Sequence, residues 1–209
     1  TKTLSAKCAI MKAGDSVLVI NGTTVCIQSV KPAGSRLKTG ILSMDCNCEV
    51  GNTIYPLKGG SKLKFSSKDG SLISGTLRAD AKATSSAGEF MLKSGTEVNF
   101  SGSFFTAGKL LEKATIEVNG ASIEIAPNPI VERDIRFDGL GRFVEATFVN
   151  EMKYNSLIDF TFPPMSRFIY KTGELSKVYA PVNSAIELNG KTYTVNGSPD
   201  PAAYEFDKN

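Results

Sequence analysis

The chain predicts an all-β protein built from antiparallel hairpin repeats, and three observations carry that prediction. A six-residue phrase recurs five times at a period in the thirties. Asn-Gly and Asp-Gly pairs separate short alternating segments rich in β-branched residues. No stretch of ten residues holds a 3.6-residue apolar period.

The first hairpin signal is Val17-Leu18-Val19-Ile20-Asn21-Gly22-Thr23-Thr24-Val25-Cys26-Ile27. A two-residue type I′ turn needs positive φ at both central positions, which Asn and Gly accept. Residues 1–29 therefore read as an N-terminal capping hairpin. The same signal returns around Asn119-Gly120 and around Asn189-Gly190, each flanked by alternating strands.

The repeated phrase then begins. It reads Leu37-Lys38-Thr39-Gly40-Ile41-Leu42, then Leu72-Ile73-Ser74-Gly75-Thr76-Leu77. The third copy is Leu111-Glu112-Lys113-Ala114-Thr115-Ile116 and the fourth Phe143-Val144-Glu145-Ala146-Thr147-Phe148. A weaker fifth is Leu175-Ser176-Lys177-Val178-Tyr179-Ala180. Aromatic strands and turn glycines precede the copies, at Phe65 with Asp69-Gly70, Phe137 with Asp138-Gly139, and Tyr170 with Gly173. Ahead of these, Lys58-Gly59-Gly60-Ser61 parallels Lys93-Ser94-Gly95-Thr96 as a turn leading into a strand. Prolines fall between phrases, where a missing ladder donor is harmless. Residues 30–197 thus read as five units of about 32–39 residues, with 198–209 as a C-terminal tail. Each unit holds roughly three short strands, about fifteen in all. Stacking them predicts a β-solenoid or roll-like sheet, with a closed β-barrel or two-sheet sandwich as the alternatives.

Four cysteines stand at 8, 26, 46 and 48. The even count fits two disulfides in an oxidising compartment. Strand parity offers a competing reading: Met44, Cys46, Cys48 and Val50 alternate with polar residues and share one buried face. Two cysteines on one strand face are badly placed to bridge each other, so any disulfide would run to Cys8 or Cys26. The Cys-x2-Cys spacing of a zinc site is absent.

The full chain carries 24 Lys and Arg against 21 Asp and Glu, and no His. Without His there is no His-based triad, metal site or proton shuttle. The basic residues are spread singly, which argues against nucleic acid. No run of 18 apolar residues could cross a bilayer as a helix. Thr1 in place of an initiator Met reads as a processed or trimmed product, associated with a membrane, if at all, through an anchor lost from its N-terminus.

The phrase from Phe65 to Leu77, Phe-x-x-x-Asp-Gly-x-Leu-x-x-Gly-Thr-Leu, resembles the β-hairpin repeats of the MORN class. It is more similar still to repeat segments of spirochaete envelope proteins. The resemblance spans about residues 30–197 and lacks the repeated Tyr-x-Gly element of MORN repeats. It implies scaffold or interaction work and no catalytic site.

Two clusters compete as functional candidates. Glu132, Asp134, Asp138 and Glu145 could supply a carboxylate pair for glycoside chemistry. Arg133, Arg136 and Arg142 interleave with them, which reads instead as cross-strand pairing on a wet face. The third unit reads as the irregular one, with an insertion, Phe104 and Phe105, at a hairpin tip and Lys109 and Lys113 as a polar rim. That makes the four residues the candidate protein contact.

The expectation is a non-enzymatic binding or structural module of the bacterial cell envelope. It would be extracytoplasmic or secreted, with a cytoplasmic location as the alternative, and would contact a protein or cell-surface component. No cofactor, metal or nucleic acid is expected. The rivals are an enzyme domain using sheet carboxylates and a periplasmic ligand carrier, which would need a closed barrel with an apolar cavity.

Overall fold

The computed structural model describes residues 16–20, 23–33, 36–66, 68, 71–155, 159–195 and 203–205, with side chains described within 39–195. Every regular element among them is a β-strand. In chain order the first are β1 (Ser16–Ile20), β2 (Thr23–Ala33), β3 (Arg36–Leu42), β4 (Cys46–Val50), β5 (Thr53–Leu57), β6 (Lys62–Phe65), β7 (Leu72–Thr76), β8 (Ala81–Ser85), β9 (Gly88–Leu92), β10 (Glu97–Ser101) and β11 (Phe104–Gly108). The remainder are β12 (Ala114–Val118), β13 (Ala121–Ala126), β14 (Ile135–Phe137), β15 (Phe143–Phe148), β16 (Met152–Asn155), β17 (Asp159–Phe162), β18 (Arg167–Lys171), β19 (Glu174–Tyr179), β20 (Ala185–Leu188), β21 (Lys191–Thr194) and β22 (Ala203–Glu205).

One long antiparallel sheet runs β1-β2-β3-β6-β7-β10-β11-β14-β15-β18-β19-β22. This order is an open path among the described strands, so the sheet does not close into a barrel. Between successive sheet hairpins the chain makes a second hairpin: β4–β5, β8–β9, β12–β13, β16–β17 and β20–β21. A full unit therefore has four strands, one more than the sequence suggested. The extra strand was hidden because adjacent short strands merge into one alternating segment.

The repeated phrase encodes a β-bulge. Phe65 pairs with Leu72, but Lys64 pairs with Ser74, leaving Ile73 unmatched. The same slip isolates Thr106, Val144 and Ser176 in the next three hairpins, and Lys38 in the β2–β3 pair. An unpaired residue resets which side chains face inward. That is how Leu72 and Gly75, three apart, both face the core, where strict alternation would separate them.

The glycine in the phrase answers to close packing. A Cβ at Gly75 would lie 3.0 Å from a Leu63 methyl and 3.2 Å from a Leu57 methyl. Gly108 meets Leu92 in the same way. The second-layer hairpins press their ends onto this face, bridging Leu57 to Leu77, Leu92 to Leu110 and Ile125 to Phe148. The bridging leucines are at most 1% exposed, each worth roughly 1.5–3 kcal/mol in burial.

These pairings correct the register of the third copy. Leu111 is 41% exposed, whereas Leu72 is fully buried and Phe143 nearly so. The residues standing where Leu72 to Leu77 stand are Phe105-Thr106-Ala107-Gly108-Lys109-Leu110, with Phe105 3% and Leu110 1% exposed. The insertion consequently lies elsewhere. From Gly40, Gly75 and Ala146 to their paired residues on the following strand the chain takes 23, 23 and 22 residues, but 27 from Gly108 to Ile135. The extra residues belong to the loop from Pro127 to Asp134, not to the tip bearing Phe104 and Phe105.

The turn readings fare better. Asn119-Gly120 and Asn189-Gly190 have positive φ at both positions, as type I′ turns require. Thr172-Gly173 does the same. At Asp138-Gly139 the positive φ falls on Gly141 instead, and the Asp138 carboxylate accepts the Leu140 and Arg142 amides. Ser61 and Thr96 each donate to the carbonyl three residues back in their matching turns, and Ser166 and Ser184 extend the series. Asn21-Gly22 and Asp69-Gly70 lie outside the described residues.

Cys46, Cys48 and Val50 are buried along β4 while Asn47 and Glu49 are exposed, as alternation predicts. Met44 precedes the strand and is half-buried. Ala81 and Ala83 occupy the same places in β8. Cys46 and Cys48 are buried and form no disulfide in this structure. Cys8 and the side chain of Cys26 lie outside the described residues.

Candidate functional site

The four carboxylates do not converge. Glu132 is exposed, while Asp134 and Glu145 are each 1% exposed. Asp134 accepts from Lys109 Nζ at 3.0 Å, the Leu110 amide at 2.8 Å and the Asn128 amide at 2.8 Å. In the neighbouring units the matching amides of Leu42, Leu77 and Phe148 bond to the backbone carbonyls of Ser61, Thr96 and Ser166. Asp134 therefore replaces a carbonyl that the longer loop has carried away. Glu145 is held between Arg136 at 3.1 Å and Arg167, whose guanidinium lies over the Tyr179 ring. Asp138 pairs with Arg142 at 2.7 Å. The expected cross-strand pairing is present, but Glu145 is buried beneath its arginines and not wet.

The proposed contact residues also separate. Phe104 is 59% exposed at the β10–β11 tip. Phe105 points inward, its ring centroid 5.4 Å from that of Phe90 and 6.1 Å from that of Phe137. Lys109 lies five residues further along the strand, about 16 Å at ~3.3 Å per residue. It is spent on Asp134 and the carbonyls of Asn128 and Val131. Lys113 pairs loosely with Glu124 at 3.7 Å. Of the four, Phe104 and Lys113 are exposed, while Phe105 is core and Lys109 is committed to Asp134 and the loop carbonyls.

Phe104 instead borders a site made by hairpin tips from both layers. Gly51, in the β4–β5 turn, comes so close to the β10–β11 turn that a Cβ would lie 2.5 Å from the Ser103 carbonyl oxygen. Its φ of 62° also suits glycine. One unit along, Ser86 Oγ, in the β8–β9 turn, donates to the Gly141 carbonyl at 3.0 Å. Between these contacts opens a cavity of about 400 Å³, bordered by Asn52, Thr84, Ser85, Ser103, Phe104 and Leu140 and floored by Tyr55 and Phe105. Burial pushes the Tyr55 phenol up to about 12, partly offset by a hydrogen bond with Thr53, so the floor is uncharged at neutral pH. Leu140 is 78% exposed.

Sequence reasoning found Phe104 and missed Leu140. Its one signal was a large apolar residue between Gly139 and Gly141 in a turn. Asn52, Thr84 and Ser103 left no signal, because polar turn residues are commonplace. Among the described residues no group of three or more Cys, Asp and Glu side chains could hold a metal ion. No protein-family model, no curated protein and no solved structure matches the chain.

Proposed function

We propose that the protein is a non-catalytic binding module whose stacked hairpin units form a roll-like, solenoid-type sheet. Its contact surface is the end where the hairpin tips gather. The observation that carries this reading is the exposure of Phe104 and Leu140 on the rim of one cavity. Large apolar side chains left in water on a turn cost solubility without adding core, and they suit a partner surface.

Three further points support a module over an enzyme. None of Glu132, Asp134, Asp138 and Glu145 borders the tip cavity. Asp134, Asp138 and Glu145 are each tied to Lys or Arg. The cavity itself is lined by no acidic or basic side chain. A place in the bacterial cell envelope, and a protein or surface component as partner, rest on the resemblance of the repeats to spirochaete envelope segments.

The test is co-sedimentation with isolated spirochaete envelopes. The full chain should pellet with them, and the double variant Phe104→Ser, Leu140→Ser should lose at least about tenfold in affinity with little change in melting temperature. Equal sedimentation of both would remove the tip end as the contact surface. Failure of the unaltered chain to sediment would remove the envelope reading.

A further inference from the structure

We infer that the tip end is a groove for a neutral, β-linked oligosaccharide chain, which it holds at one disaccharide unit per protein repeat. This deepens the reading of the tip end as the contact surface and rests on it.

The groove is periodic. Beside the first cavity lies a second of about 290 Å³, and the two share Ser86, Leu140 and Gly141. They are the same gap one unit apart. In the first, turn residues 51–53 and strand end 84–86 face the sheet tip at 103–105. In the second, turn residues 86–87 and strand end 117–119 face the sheet tip at 140–143. Each shift advances one hairpin, hence two strands, or about 9.5 Å at 4.7–4.9 Å per strand. That spacing matches the length of a disaccharide in an extended β-linked chain. A peptide strand repeats every two residues, about 6.7 Å, and falls out of step within one unit. Extended peptides also bind by adding to a sheet edge, whereas this groove is walled by turns.

The lining chemistry selects a neutral polyhydroxyl ligand. The first cavity has no charged side chain, and the second has one of each sign, Glu117 and Arg142. Arg142 is already engaged by Asp138. Such walls offer a polyanion no net attraction. Asn52, Thr84 and Ser103 are exposed, and their side chains make no hydrogen bond among the described residues. They can donate to and accept from sugar hydroxyls. The exposed Phe104 ring supplies a flat face for the C–H side of a pyranose.

The experiment is a ¹⁵N NMR titration of the full chain with soluble cello- and chito-oligosaccharides, from the disaccharide upward. Shifts should be confined to residues 51–53, 84–87, 103–105, 117–119 and 140–143. Longer chains should bind at least about tenfold more tightly than the disaccharide, because they span two cavities. Phe104→Ala should weaken binding about tenfold, and added salt should leave it unchanged. No shift with any of these sugars, shifts on the Lys64 and Arg167 face, or shifts with an extended peptide in their place would overturn the proposal. If envelopes still bind through Phe104 and Leu140 while every neutral sugar fails, the contact surface stands and the ligand class falls. If the sugars bind at the tips while envelopes do not, the ligand class stands and the envelope reading falls.

Discussion

Cys48 shows how far a single side chain can be read. Its parity in Cys46-Asn47-Cys48 was legible in the sequence, because alternation alone decides which face a strand residue takes. Its chemistry was not legible, because reactivity depends on burial by distant strands. Burial, with Cys46 and Glu49 adding to it, pushes the Cys48 thiol up to about 12. The thiolate is the reactive form, so Cys48 should label with a maleimide orders of magnitude more slowly in the native chain than in denaturant. Fast native labelling would contradict the packing. Burial also raises Tyr55 and Tyr170 to about 12, with Tyr154 adding to the latter. All three are acids that ionise more easily in the unfolded chain. Their stabilisation is present below about pH 9 and is lost as pH climbs from there toward 12. A melting temperature flat across that window would refute this.

Elements are where sequence reasoning both succeeded and slipped. The phrase was visible because a bulge recurring at one place fixes Leu and Gly three apart. The third copy was misplaced because Leu111 to Ile116 fits the pattern as well as Phe105 to Leu110 does. Only pairing across the sheet separates the two, and pairing is non-local. The corrected register makes a sharp prediction. Leu72→Ala and Phe105→Ala should each cost about 2–5 kcal/mol in chemical denaturation, because each leaves a cavity. Leu111→Ala should cost less than about 0.5 kcal/mol. Equal losses at all three would restore the rejected register. The loop from Pro127 to Asp134 carries its own test. Asp134→Ala strands the Lys109 ammonium and the Leu110 and Asn128 amides in a buried site, at about 3–5 kcal/mol. A loss under about 1 kcal/mol would mean that the loop holds without it.

Across the whole molecule the two faces of the long sheet have different fates. One is covered by hairpins over a continuous core that runs from Leu42 to Val195. The other carries cross-strand charge pairs such as Lys64 with Glu97 and Arg136 with Glu145. Among the described residues the hairpin turns of the two layers meet at the tip end, and the candidate site lies there. Hairpins and all-β class could be read from local signals. The meeting of Gly51 with Ser103 and of Ser86 with Gly141 could not, because those residues are 52 and 55 apart in the chain. The central claim is that binding uses this end. Amide hydrogen exchange of the chain, free and bound to envelopes, tests it most directly. Binding through the tips predicts slowed exchange confined to residues 51–53, 84–87, 103–105, 117–119 and 140–143. Protection centred on residues 62–64, 97–99 and 167–169 of the charged face, with the tips unchanged, would contradict it.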